Sequence, residues 1–166
     1  MKRHTDPYAV HEAGHALVAV LSGLPIKWVD MHADRASADE RGWPTAVKGL
    51  RLRRVKVTAA TDVSLRMAGK AAEFVCGHDI PDSDNFDRSC ASQILDIVCK
   101  SRKERDTLVS CTWDMTEDLL WRNLPALKAL AYALDERGRL SGAEVVEIVE
   151  SFTRTRRAAR KARPAA

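Results

Sequence analysis

A chain of 166 residues is long enough for one domain with a hydrophobic core and short for two. No apolar run reaches the length of a bilayer span, and Lys2 and Arg3 precede a polar stretch rather than a cleavable hydrophobic segment, so the expectation is a cytoplasmic protein without membrane contact. The net charge of +4 belongs to the C-terminus: six basic residues and no acidic ones follow Ser151, and removing that +6 leaves the rest of the chain at −2.

The first element is the segment Pro7 to Ser22. Pro7 suits a first helical position, Asp6 or Thr5 can cap it, and Gly23 can stop it. Inside it stands "AVHEAGHALVAV", which places His11 and His15 one turn apart on one face, with Glu12 beside them. This HExxH arrangement lets two neutral imidazoles bind one zinc ion while the glutamate activates a water on the metal. The motif is short and also occurs by chance, but on so apolar a helix two imidazoles and a carboxylate without partners would be costly to bury. Gly14 removes a side chain next to the site at some cost in helix propensity.

Ile26, Trp28 and Val29 in "LPIKWVDMH" mark a short strand. "ADRASADERGWPT" is polar, with Gly42 and Pro44 as punctuation, and reads as a loop. "TAVKGLRLRRVKV" is either a further short strand or an extended stretch. From Asp62 a helical spacing runs through Val63, Met67, Ala71, Phe74 and Val75 to a stop at Gly77. After the loop "HDIPDSDN" a third helix carries Cys90, Ala91, Ile94, Leu95, Val98 and Cys99 on its apolar side. Trp113 to about Trp121 forms the next helix, and Pro125 opens another that ends at Asp135 or Glu136. Ser141 and Glu144 form a capping box for the last helix.

The four cysteines, Cys76, Cys90, Cys99 and Cys111, contain no CxxC pair, so neither a zinc ribbon nor disulfides are expected. Cys90 and Cys99 read as small buried hydrophobes. The basic tail, residues 154–166, can touch nucleic acid or an acidic partner or can be a solvated helix end; no aromatic residues interleave with its arginines, which argues against single-strand binding. No P-loop sequence is present, so no ATPase module is recognisable.

A catalytic zinc needs a third protein ligand and one open position. Glu73, His78, Asp82, Asp84 and Asp87 are the downstream candidates. Here "HEAGHALVAVLSG" resembles the zinc helix of FtsH-type metalloproteases. "MAGKAAEFVCG", "DSDNFDRSCAS" and "LPALKALAYALDERGRLSGAEVVEIV" are similar, in order, to that family's small-residue helix, its polar turn into an aspartate-started helix, and its closing helices.

The resemblance covers nearly the whole chain and implies a mainly α zinc-metallopeptidase domain over residues 1–153, with a small β element after the HExxH helix. It implies His11, His15 and an aspartate as ligands of one zinc per chain, and Glu12 as general base. Asp87 fits that aspartate best, because apolar or small residues follow it at +3, +4, +7, +8, +11 and +12; Asp84 is the runner-up. Glu73 matches the glutamate that orients a zinc histidine. His4, His32 and His78 lack motif support and read as surface or loop residues.

In that family the peptidase domain follows a membrane segment and an AAA+ unfoldase, and neither pattern occurs in this sequence. The expected activity is therefore a stand-alone zinc endopeptidase acting on flexible peptides, or on unfolded protein delivered by a separate ATPase. Ile26, Trp28 and Val29 are expected to hold an extended substrate by edge pairing. The alternative is a catalytically silent zinc-binding interaction or regulatory domain with the basic tail as a docking segment. A metal-free helical domain is the third reading, and the oligomeric state is open.

Overall fold

The computed structural model describes residues 5–32, 46–47, 50–52 and 58–161. These form a mainly helical molecule with one small sheet. In chain order the elements are α1 (Pro7–Leu21), β1 (Ile26–Asp30), β2 (Ala46–Val47), β3 (Leu50–Leu52), α2 (Ala59–Cys76), α3 (Asn85–Val98), α4 (Arg102–Arg122), α5 (Leu124–Arg137), β4 (Arg139–Ser141) and α6 (Gly142–Lys161).

α1 is the central element. Asp6 caps it by accepting from the Tyr8 amide at 2.8 Å, and Pro7 occupies its first turn. Every residue from Ala9 to Ala19 is buried, so this stretch of the helix has no solvent face. It packs chiefly against α2 and α5. Leu17, Leu127, Leu130 and Leu134 are fully buried, each worth roughly 1.5–3 kcal/mol in removed apolar surface. The crossing of α1 and α2 is close because it is built from small residues. A Cβ on Gly14 would lie 2.4 Å from the Ala68 carbonyl oxygen and 2.5 Å from the Ala72 Cβ. Gly14 thus makes room for α2 itself, which is what brings α2 within reach of the motif histidines.

α2 starts before Asp62, because Thr58 caps it by accepting from the Thr61 amide at 3.2 Å. Gly77 ends it in the left-handed region, with φ 75°. Phe74, expected on the apolar side, is 60% exposed and stacks edge-on against Trp113 of α4. α3 is buried only at Asp87, Ala91 and Leu95; Val98 is exposed, and Cys90 and Cys99 are half-buried. All four cysteines are free thiols.

α4 begins at Arg102, well before the expected Trp113. Its first half has no fully buried residue, and Leu108 and Val109, adjacent and only partly buried, make no apolar stripe to announce it. Ser101 caps it by accepting from the Glu104 amide at 3.2 Å, and Glu104 accepts from the Lys100 amide at 2.6 Å. The capping box before α6 forms as read: Glu144 accepts from the Ser141 amide at 2.8 Å, and Ser141 Oγ accepts from the Glu144 amide at 3.3 Å. The backbone of α6 runs on to Lys161, through the expected start of the tail; residues 162–166 lie outside the described residues.

The sheet has the order β2-β3-β1-β4 with antiparallel neighbours. β2 and β3 fall in the segment left open between strand and extended stretch, while the loop at 33–45 lies outside the described residues. Among the described residues no helix is long and apolar enough to cross a membrane.

Candidate metal centre

His11, Glu12 and His15 lie on the buried helix α1 with side chains almost inaccessible to solvent. His15 Nδ1 lies 2.7 Å from the backbone oxygen of Leu65. A carbonyl only accepts, so Nδ1 carries the proton and Nε2 carries the lone pair. His11 Nδ1 lies 2.6 Å from Glu73 Oε1. Burial alone would raise the Glu73 pKa, but donation from His11, Ser83, the Ile80 amide and Lys70 outweighs this and holds it at about 2. Glu73 is therefore an ionised acceptor, and His11 too points an Nε2 lone pair inward.

The two lone pairs meet. His11 Nε2 and His15 Nε2 are 3.1 Å apart with no proton to share between neutral rings. Asp87, in the first turn of α3, brings Oδ2 to 3.5 Å from His15 Nε2 and 3.9 Å from His11 Nε2. Neither Asp87 oxygen accepts a hydrogen bond, although the residue is 1% exposed. With only ion-pair distances of 3.5–3.9 Å to His15, Arg66 and His11, this buried carboxylate is short of a close partner. Ligand atoms about 2.0–2.1 Å from a tetrahedral zinc would be roughly 3.3 Å from one another, close to the three separations here. Among the described residues His11, His15 and Asp87 form a group fit to hold a metal ion, their ligand atoms all within 4.8 Å of one another.

Charge points the same way. Glu12, Asp62, Glu73 and Asp87 place four carboxylates in and around the cluster, against Arg66 and Lys70. Lys70 also pairs with the exposed Asp79 at 2.8 Å, so the acidic groups outnumber the basic ones and suit a cation. Without a metal, a proton is the alternative occupant. Burial lowers the His11 pKa, but Asp87, Glu73 and Glu12 outweigh it and raise it to about 9. Burial lowers that of His15. Burial would raise the Asp87 pKa, but the two imidazoles hold its carboxyl well below the usual carboxylate range.

α2 frames the cluster. Glu73, fully buried, accepts from His11, from Ser83 Oγ at 2.6 Å, from the Ile80 amide at 3.0 Å and from Lys70 Nζ at 3.0 Å. The loop between α2 and α3 is thereby tied to the carboxylate that orients His11, and it leads directly into Asp87. Gly69 stands between the imidazoles and the α2 backbone: a Cβ there would lie 2.4 Å from His11 Nε2 and 2.5 Å from His15 Nε2. Sequence reasoning passed over Gly69, the Leu65 carbonyl and Arg66. The run of small residues in "MAGKAAE" is the one signal of close approach that could have flagged Gly69.

Asp84, the runner-up ligand, lies outside the cluster at the head of α3 and pairs with Arg88 at 2.8 Å. His32, His78 and Asp82 are also outside it, and His4 lies outside the described residues. The expectation for Ile26, Trp28 and Val29 requires correction. β1 is an inner strand with β3 on one side and β4 on the other, pairing Trp28 with Ser141 and Val29 with Leu140. It has no open edge for a substrate because the residues after Gly138 lie along it; Ile26 and Val29 are buried, and the Arg139 guanidinium covers the Trp28 ring at 4.3 Å.

A scan against protein-family models and a search of curated proteins give no match to this chain.

Proposed function

We propose that this chain is a zinc-dependent endopeptidase-like domain of the FtsH type, with His11, His15 and Asp87 as metal ligands and Glu12 as general base. The convergence of two Nε2 lone pairs and a carboxylate oxygen at 3.1–3.9 Å carries the metal assignment. Three protein donors with a further buried carboxylate alongside fit a catalytic rather than a closed structural centre. When bound, zinc supplies a Lewis acid that polarises a carbonyl and makes water more acidic. Glu12 takes the proton of the attacking water and returns it to the departing amine. Leu65 and Glu73 claim the two Nδ1–H groups, so both Nε2 atoms are aimed inward, where a cation would take the place of the His11 proton. Substrates would be flexible peptides, or unfolded protein supplied by a separate ATPase.

Two observations favour a second reading, a catalytically silent zinc-bearing interaction domain: Glu12 is only 3% exposed, and β1 has no open edge. Glu12→Gln separates the two. It should keep zinc and fold while cleavage of an unfolded-protein or peptide library falls on the order of 100- to 10,000-fold. Equal cleavage by wild type and variant rejects Glu12 as the base. No cleavage by zinc-loaded wild type, with or without a candidate ATPase, supports the silent domain.

A further inference from the structure

We propose that Arg66 is a positioning residue for the metal centre: its buried guanidinium holds one oxygen of Asp87 so that the other faces the two imidazoles. The inference rests on the metal-binding reading above and adds a residue to it.

Asp62, Leu65, Arg66, Gly69 and Glu73 recur at helical spacing on the inner side of α2, and all are buried. Two of the three donors already have an orienting partner there: His15 has the Leu65 carbonyl and His11 has Glu73. Arg66 faces the third, Asp87, at ion-pair rather than hydrogen-bond distance. It is 1% exposed and among the largest fully buried side chains. Its Nε lies 3.0 Å from Asp62 Oδ1, one turn back on the same helix. Its Nη1 lies 3.8 Å from Asp87 Oδ1, across the gap to α3. Asp62 thus anchors the near end of the guanidinium, and the planar fork aims its far end at Asp87. The two Asp87 oxygens divide their work: Oδ1 faces Arg66, and Oδ2 faces His11 and His15. A carboxylate drawn toward Arg66 through one oxygen would offer a cation the other alone. Released from Arg66, it can turn both oxygens to the metal or swing away.

The test measures zinc affinity by chelator competition and the visible spectrum of the cobalt(II)-loaded full chain, together with metal-free melting. Arg66→Met alone would strand Asp62 in the interior, so the decisive variant is the double change Asp62→Asn with Arg66→Met, which removes both charges. It should melt, metal-free, near the wild type, bind zinc about 10- to 100-fold more weakly, and change the cobalt spectrum. Arg66→Lys keeps the charge without the fork and should fall between the two in affinity; it decides the matter if the double variant does not fold. Wild-type affinity and spectrum in the folded variants would overturn the role of Arg66 and leave the metal centre standing. A wild-type chain that binds neither zinc nor cobalt would overturn both.

Discussion

The imidazole pair shows how much a single proton decides. His11 Nε2 and His15 Nε2 face each other only because Glu73 and the Leu65 carbonyl each claim the opposite ring nitrogen. The gap between them calls for a positive charge, and in the metal-free protein the nearest source is a proton on His11. Its pKa is raised to about 9 in the folded state, above the ordinary 6.5, so that proton stabilises the fold fully below pH 6.5 and ceases to do so as pH rises through 9. The His15 pKa is lowered, so its contribution is lost only toward acid pH and leaves this window clear. The metal-free melting temperature should therefore fall between about pH 6.5 and 9, whereas the zinc-loaded protein, with a dication in place of the proton, should hold its melting temperature. Parallel melting curves with and without chelator check this. Gly69→Ala sets a methyl group beside both Nε2 atoms, and its zinc affinity should fall about 10-fold or more by chelator competition although alanine is the better helix former.

At the scale of elements, the site is a product of how closely α1 and α2 approach. Gly14→Ala pushes a Cβ into the Ala68 carbonyl and the Ala72 methyl, and backbone cannot swing aside as a long side chain can. Overpacking of this kind costs about 1–3 kcal/mol and outweighs the propensity gain of about 1 kcal/mol, so a lower melting temperature is expected. α5 was legible in the sequence because one-sided burial imposes a period, and α1 because Asp6, Pro7 and Gly23 bracket a mostly apolar run. The first half of α4 was not, since "RKERDTLVSC" has no buried face, although Ser101 and Glu104 carry a start signal of the S-x-x-E type. Strands of two or three residues are too short to show alternation, so the pairing of β4 with β1 was hidden and the edge-binding expectation failed with it.

Across the whole molecule, the centre joins groups far apart in sequence: two donors from α1, one from α3, and their supports from α2. The donors could be read because a histidine pair at helical spacing and an aspartate heading an apolar register are patterns of side chains. The supports could not, because a carbonyl oxygen, a missing Cβ and a buried guanidinium acquire their meaning only when α2 is laid against α1. A cation held between α1 and α3 closes a long stretch of chain, so metal and fold should be linked. The most direct measurement is metal content of the purified, zinc-equilibrated chain by elemental analysis. The account predicts about one zinc per wild-type chain, loss of that zinc in His11→Ala, His15→Ala and Asp87→Ala, and its retention in Asp84→Ala. Undiminished zinc in the folded Asp87→Ala variant, or none in the wild type, would contradict it.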